Sequence, residues 1–527
     1  MFSLFLAVGS KRNFGIAFGN GAEVEKSSLR TMKAKLSLTL FIAIAVGASA
    51  HAATLTVTNT NDNLAGSLRQ AIRDASSGDT IVFNIPTNDP GYNATTQTWT
   101  VTLTSAELMI SNDLTIDGGG QKIIVQRSAA GGTPNFRIFN IVAGNVTLSR
   151  LTIANGLSQD GTVESKGGGV RNAGTLTLTG CTITGNTGRF EGGGLYNDGT
   201  TTVNNCTFNG NSTDGGGGGI QNDGNLALNS CTISGNIGVG APPGVDNTGT
   251  AHVHNSVLAG NTGSAFADAV GAYISDGYNF IGRATGPSGT SGLGSTGFGQ
   301  SGSHDQVGTF EAPADPKLGP LQDNGGPTQT MSPLSGSPLI DQGDSFGVTT
   351  DQRGFQRPLD NPSITNAAEG DGSDIGAVET DVVQSGPTFV VNTSDEHSDE
   401  VCGIADCSLW DAANASNANT SNNSVITFTP GLTGTINVTI QPVGIILVRP
   451  VNIVGPGARL LTVSAANAGR VFFLRTEGVR ISGLTIANAN VAAHGAGIFM
   501  DTGTSLTLES CAIVNNTASG GTTGGGI

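Results

Sequence analysis

The sequence predicts an all-β protein: a right-handed parallel β-helix, a solenoid of 25-residue coils, with a short N-terminal cap helix and a second, truncated β-helix at the C-terminus. Three observations carry this expectation. Segments starting at Gly167, Gly192, Gly217 and Pro242 align at 25-residue intervals. Within each, apolar residues alternate with polar ones, the period of a strand. Composition agrees: 80 glycines in 527 residues, 37% hydrophobic, 12% charged and 5% aromatic. Many short strands joined by tight turns need such a mixture, and a disordered chain would lack the apolar share.

The repeat fixes the coil. The first three units open with three glycines, and the fourth has Pro242-Pro243 in place of the first two. One asparagine recurs at Asn172, Asn197, Asn222 and Asn247, and a Gly-Asn pair closes each unit at Asn186, Asn211, Asn236 and Asn261. A Cys-Thr-Ile or Cys-Thr-Phe signature falls at Cys181, Cys206 and Cys231, with Ser256 in the fourth unit. Leu176, Leu178, Cys181 and Ile183 mark the inward positions. Each coil adds about 4.8 Å by pairing with its neighbour, so equivalent residues stack into ladders and no coil buries its apolar face alone. The asparagines read as a structural ladder at sharp corners, where Asn tolerates left-handed backbone and bonds its neighbour one coil on. The cysteines read as a buried thiol ladder and not as metal ligands.

Taken from the N-terminus, residues 1–52 form a leader. Met32 is the expected initiator, with a basic start, an apolar stretch Leu36–Ala48 and the cleavage motif Ala50-His51-Ala52; one long signal sequence is the rival reading. The first β-helix is expected over 53–262, with Leu114–Gly118 and Val146–Ile153 as less regular coils. Ser67–Arg73 is a short amphipathic helix that caps the open end of the core. Residues 263–385 lose the period and form a loop-rich closing region. A second β-helix is expected over 386–527: Phe389–Thr393 repeats Leu55–Asn59, Cys407–Ala413 repeats the cap, and Leu484–Asn488 repeats Leu151–Asn155. It stops at the opening of a further coil, so the sequence is read as a fragment. Cys402 and Cys407 flank the second cap, five residues apart; a local disulfide and a metal pair are the two readings, the first fitting an oxidising compartment.

Three strings in the middle region, Pro338-Leu339-Ile340-Asp341, Asp351-Gln352-Arg353-Gly354 and Asp374-Ile375-Gly376-Ala377, resemble the C-terminal region of the choice-of-anchor Q proteins. The cap elements, Ser67-Leu68-Arg69-Gln70-Ala71 and Cys407-Ser408-Leu409-Trp410-Asp411-Ala412, resemble the CSLREA-type N-terminal motif of the same secreted β-helix proteins. The Gly-Gly-Gly and Cys-Thr-Phe-Asn-Gly-Asn coils are similar, less closely, to polymorphic outer-membrane protein repeats. What the resemblance implies is a secreted or surface-exposed protein, held at the outer membrane or elsewhere by a C-terminal anchor. It supplies no catalytic residues.

Charge narrows the partners. Residues 1–52 hold six of the 24 Lys/Arg and two of the 40 Asp/Glu, leaving 18 against 38, a net −20. Such a surface repels nucleic acid and anionic lipid and can attract divalent cations. Nothing after residue 53 is long and apolar enough for a membrane helix. The sequence has no Asp-Asp pair, Gly-His-Gly, phosphate-binding loop or spaced metal motif among its six histidines. The densest charged group, Asp341, Asp344, Asp351, Arg353, Arg357, Asp374 and Glu379, reads as a calcium or glycan site or as buried ion pairs closing a cap. Asp198, Asp223 and Asp246 read as turn residues, and Arg171 and Arg189 as isolated. Two functions are weighed. One is a non-catalytic, adhesin-like scaffold that binds polysaccharide or neighbouring cells along its flat faces. The other is a polysaccharide lyase or glycoside hydrolase acting on acidic glycans. A groove with three or more carboxylates beside an arginine would favour the enzyme, and a face of Asn, Thr and Ser alone the scaffold.

Overall fold

The computed structural model describes residues 52–527 except 160–164, 264, 289–291, 362–363, 382, 398–401, 405, 422, 439–442 and 520–523. The expected leader, with Met32 and the cleavage motif up to His51, lies outside the described residues. No helix among them is long and apolar enough to cross a membrane, which says nothing of β-barrels.

One regular coil shows how the sequence makes the fold. Val170–Asn172, Thr175–Thr179, Thr182–Thr184 and Thr187–Gly188 are strands. Each pairs in parallel with its equivalent 25 residues on: Val170 with Leu195, Leu176 with Thr201, Ile183 with Phe208, Thr187 with Ser212. Alternation turns Leu176, Leu178, Cys181 and Ile183 inward to full burial and leaves Thr175 exposed. Burial of each Leu or Ile contributes about 1.5–3 kcal/mol, and stacking makes the apolar column continuous from Val57 to Phe298. The triple glycines follow from corner packing. A Cβ on Gly169 or Gly194 would lie 2.6 Å from the carbonyl oxygen of the glycine one coil on.

The equivalent strands assemble three long sheets. Face A has nine strands, from Thr54–Val57 to Ile274–Gly277; face B has ten, from Tyr92–Asn93 to Gln306–Val307; face C has eight, from Leu108–Ile110 to Ser295–Thr296. A shorter four-stranded sheet runs from Leu157–Ser158 to Ile237–Gly238. The result is a right-handed parallel β-helix. Helix α1, Leu68–Asp74, covers its first coil with Leu68, Ala71 and Ile72, and Ser67 caps it by accepting from the Gln70 N–H. The programme restarts at Thr388–Val391, which pairs with Ser424–Phe428. There α2, Leu409–Ala418, closes a second core under a capping box of Ser408 and Asp411. The Cys402–Cys407 disulfide pins the loop ahead of it.

Three expectations need correction. The ladder asparagines do not take left-handed backbone. Positive φ falls one residue earlier, at Gly185, Gly210, Gly235 and Gly260, and at Gly180, Asn205, Ser230 and Asn255 of another corner. The ladder side chains point inward, where their amides satisfy buried backbone groups.

The first solenoid also does not stop at residue 262. Strands at Ala269–Ala272, Ile274–Gly277, Phe280–Ile281 and Gln306–Val307 extend its faces in parallel. Partners there are 23 apart at His254 and Gly277 but 26 apart at Phe280 and Gln306. Loops of unequal length erase the sequence period while the hydrogen bonding continues.

Nor does the later part of the middle segment close the end. It turns back as a strap along the outside of face B. Ala377 N–H donates to Thr232 Oγ1 (3.1 Å), Thr207 Oγ1 to Gln352 Oε1 (2.6 Å), and Gln352 Nε2 to Thr182 Oγ1 (3.0 Å). Those outward threonines are almost wholly buried. A cover over them must supply hydrogen-bond partners, and the strap does.

Candidate functional site

The charged group of the middle segment serves the strap. Asp351 accepts from the Arg353 backbone N–H and Nε, both at 2.8 Å, and from the Glu379 N–H at 3.1 Å. Arg357 Nε donates to Glu379 Oε2 at 2.5 Å, with Arg357 Nη2 on the Gly376 carbonyl at 2.8 Å. Asp374 accepts from the Asp341 N–H at 2.8 Å. Burial and the neighbouring Glu379 charge push the Asp374 carboxyl up to about 8. Asp344 points elsewhere and caps the Phe346 N–H at 2.7 Å. Among the described residues no group of three or more His, Cys, Asp or Glu side chains is placed to hold a metal ion. Of the four aspartates weighed as metal ligands, Asp351 is held in an ion pair and Asp341, Asp344 and Asp374 accept from backbone N–H groups.

The asparagines form two hydrogen-bonded columns. Asn172 Nδ2 donates to Asn197 Oδ1 (2.9 Å), Asn197 to Asn222 (2.7 Å) and Asn222 to Asn247 (2.6 Å). Asn186, Asn211, Asn236 and Asn261 repeat the pattern at 2.9 Å per step. Both columns are buried, which withdraws them from ligands. The thiols of Cys181, Cys206 and Cys231 are buried as well.

Because residues 25 apart stand side by side, the outer surface at face C reads as a grid. Arg171, Tyr196, Gln221 and Asp246 make one row. Lys166 bridges to Glu191 in the row before it, and Asp198, Asp223 and Thr248 follow at the corner. Lys166 Nζ pairs with Glu191 and lies 3.1 Å from Tyr196 OH. Tyr196 OH donates to Asp223 Oδ2 (2.8 Å), and Gln221 Nε2 and Thr248 Oγ1 both donate to Asp223 Oδ1 at 2.7 Å. Arg171 is not isolated; its Nη2 lies 3.5 Å from Asp198 Oδ2.

Electrostatics gives each group a role. Burial alone would lower the Lys166 ammonium, but hydrogen bonds to Glu191 and Tyr196 outweigh it and hold the pKa well above the lysine range. Burial would raise Asp223, but Thr248, Gln221 and Tyr196 together hold it below the usual carboxylate range. Asp246 is pushed up to about 6, first by burial and then by the Asp223 and Glu191 charges. The face thus has carboxylates beside an arginine, unlike a surface of Asn, Thr and Ser alone. Sequence reading missed Lys166, Glu191 and Tyr196 as a group because only the coil register makes them neighbours.

No family model matches the chain, and no curated protein matches it. Among solved structures, a pectate lyase is 13% identical, with 62% of this chain and 97% of that one covered and a TM-score of 0.34. An alginate lyase of polysaccharide lyase family 6, seen also as an arginine mutant, is 14% identical, with 87% of this chain and 76% of that one covered and a TM-score of 0.17. The functional reading rests on the side chains.

Proposed function

We propose that this chain is a secreted or cell-surface scaffold, adhesin-like, which binds polysaccharide along its outer faces without cleaving it. The observation that carries the reading is the pairing of the face C cations. Lys166 is held by Glu191 and Arg171 by Asp198, so neither is a neutral base able to take a proton from a sugar ring. The outward rows elsewhere suit a repeating polymer. Thr175, Thr200, Asn225 and Thr250 stand in line on face A, spaced about 4.8 Å, close to the length of one sugar residue. A formal charge of −16 disfavours polyuronates and nucleic acid as partners. Secretion and a variable anchor rest on the choice-of-anchor Q resemblance of Asp351–Gly354 and Asp374–Ala377.

One observation favours a second reading, a glycoside hydrolase. Asp246, pushed up to about 6 beside an ionised Asp223, has the split in protonation that an acid and base pair needs. A single experiment separates the two. The purified chain is applied to a glycan array and, in parallel, assayed for unsaturated-uronate and reducing-end release, with and without calcium. Binding without release supports the scaffold. Release that Asp246→Asn abolishes overturns it.

A further inference from the structure

We infer that the last coils of the first solenoid carry a discrete pocket for a neutral sugar ring, formed by Tyr278, His304 and Phe346 with Asp276, Asp344 and Glu369 around it. The inference rests on the polysaccharide-binding reading and adds a place and a ligand class to it.

The pocket is assembled from two distant parts of the chain. The solenoid contributes Tyr278 and His304, both at left-handed corners (φ 57 and 56). Their rings stack at 4.9 Å and 15°, and Tyr278 is fixed by its hydroxyl donating to the Ala368 carbonyl at 3.0 Å. The strap contributes Phe346, whose ring lies 3.8 Å from His254 at 72° and 6.3 Å from Tyr278 at 70°.

Phe346 is the residue that the fold does not explain. Its backbone has φ 48 and the residue is 59% exposed. A bulky ring at positive φ is strained, and glycine or asparagine would serve the turn better. Its loop is nonetheless held firmly. Asp344 accepts from the Phe346 N–H at 2.7 Å, the Ser345 N–H donates to both Asp371 carboxylate oxygens at 3.1 Å, and the Gly347 N–H donates to Ser345 Oγ at 3.3 Å. A strained, exposed aromatic on a fixed loop is pre-organised for a ligand.

The surroundings specify which ligand. The recess holds about 370 Å³, near the lower end of the roughly 300–1,000 Å³ of small-molecule sites. A protein partner would need a far broader contact. Carboxylates accept strongly from hydroxyl donors, and the ring of Phe346 matches the C–H face of a sugar. His252 Nδ1 lies 2.9 Å from Asp276 Oδ2, which orients that acid, and the exposed Glu369 reaches within 3.6 Å of His304. Three carboxylates repel a uronate, sulfated or phosphorylated sugar.

The test is calorimetric titration of the full chain with neutral cello-, xylo-, manno- and galacto-oligosaccharides and with uronate oligomers. At least one neutral series is expected to bind. Phe346→Ala should weaken it by roughly tenfold or more, with the thermal melt only slightly lowered through the lost contact with His254, and Glu369→Gln should weaken it less. Neutral-sugar binding that both pocket variants leave intact overturns the pocket while the scaffold reading stands. Binding of uronates alone overturns the ligand class. Binding of no saccharide overturns both the pocket and the polysaccharide reading.

Discussion

At Asn197 four hydrogen bonds of 2.9 Å or less meet, three of them buried. Its Nδ2 donates to Asn222 Oδ1 (2.7 Å) and the Asn225 carbonyl (2.9 Å), and its Oδ1 accepts from Asn172 Nδ2 (2.9 Å) and Thr201 Oγ1 (2.8 Å). Asn197→Ala strips partners from buried groups in two neighbouring coils and should cost roughly 2–4 kcal/mol in urea unfolding. Cys206 offers a contrast. Its Sγ donates to the Asn204 carbonyl at 3.2 Å and accepts from the Cys181 N–H at 3.3 Å. Ser256, one rung past Cys231, makes the same two bonds at 2.7 and 3.0 Å. Cys206→Ser should therefore cost about 1 kcal/mol or less. The spacing of these residues was legible in the sequence, but the place of the left-handed turn was not, because glycine sits beside asparagine at the Asn186, Asn211, Asn236 and Asn261 corners and takes the positive φ there. Asp374 supplies the pH signature. Its folded pKa of about 8 stands above the roughly 3.9 of an unfolded aspartate. The stability it contributes is present below the unfolded value and is lost as pH rises towards 8. Denaturant unfolding from pH 5 to 8 should show a fall in stability that is smaller in Asp374→Asn; an equal or steeper fall in the variant contradicts this assignment.

At the scale of elements, the cap helices were the most legible and the strap the least. Ser67 and Ser408 announce their helices directly, since each hydroxyl accepts from a backbone N–H three residues on. Ser408→Ala removes that bond and the one donated to the His397 carbonyl at 2.9 Å. It should cost about 1–2 kcal/mol, read as a lower melting midpoint. The strap could not be read from local pattern, because its partners are far away in sequence. Thr207 and Gln352 are 145 residues apart, and Lys122 and Asp323 are 201 apart. The charged strings were visible, but their partners were not, so ion pairs were the favoured reading and a calcium or glycan site stayed open beside them. Arg357 and Glu379, both almost fully buried, show which holds. Arg357→Met alone should destabilise by about 3–5 kcal/mol, whereas Arg357→Met with Glu379→Gln, which keeps an acceptor for the Leu359 and Asp374 N–H groups, should recover part of it. A double variant as unstable as the single would contradict the pairing.

For the whole molecule, the strap joins what the sequence presented as separate regions. Lys122, on the first solenoid, lies 2.9 Å from Asp323 of the strap and 3.5 Å from Asp395 at the start of the second solenoid. Burial would lower its ammonium, but Asp395 and Asp323 outweigh that and raise it. The face C grid is likewise a property of the assembled coils. Lys166, Glu191 and Tyr196 become neighbours only when each turn lands on the last. Every functional reading above depends on that stacking, and spin labels report it directly. Thr177 and Thr202 face outward and are register partners on face A. With Cys511→Ser in the background, nitroxides at Thr177→Cys and Thr202→Cys should sit about one strand spacing apart, and the doubly labelled chain should give a strongly dipole-broadened continuous-wave spectrum. A spectrum equal to the sum of the two singly labelled chains would contradict the solenoid.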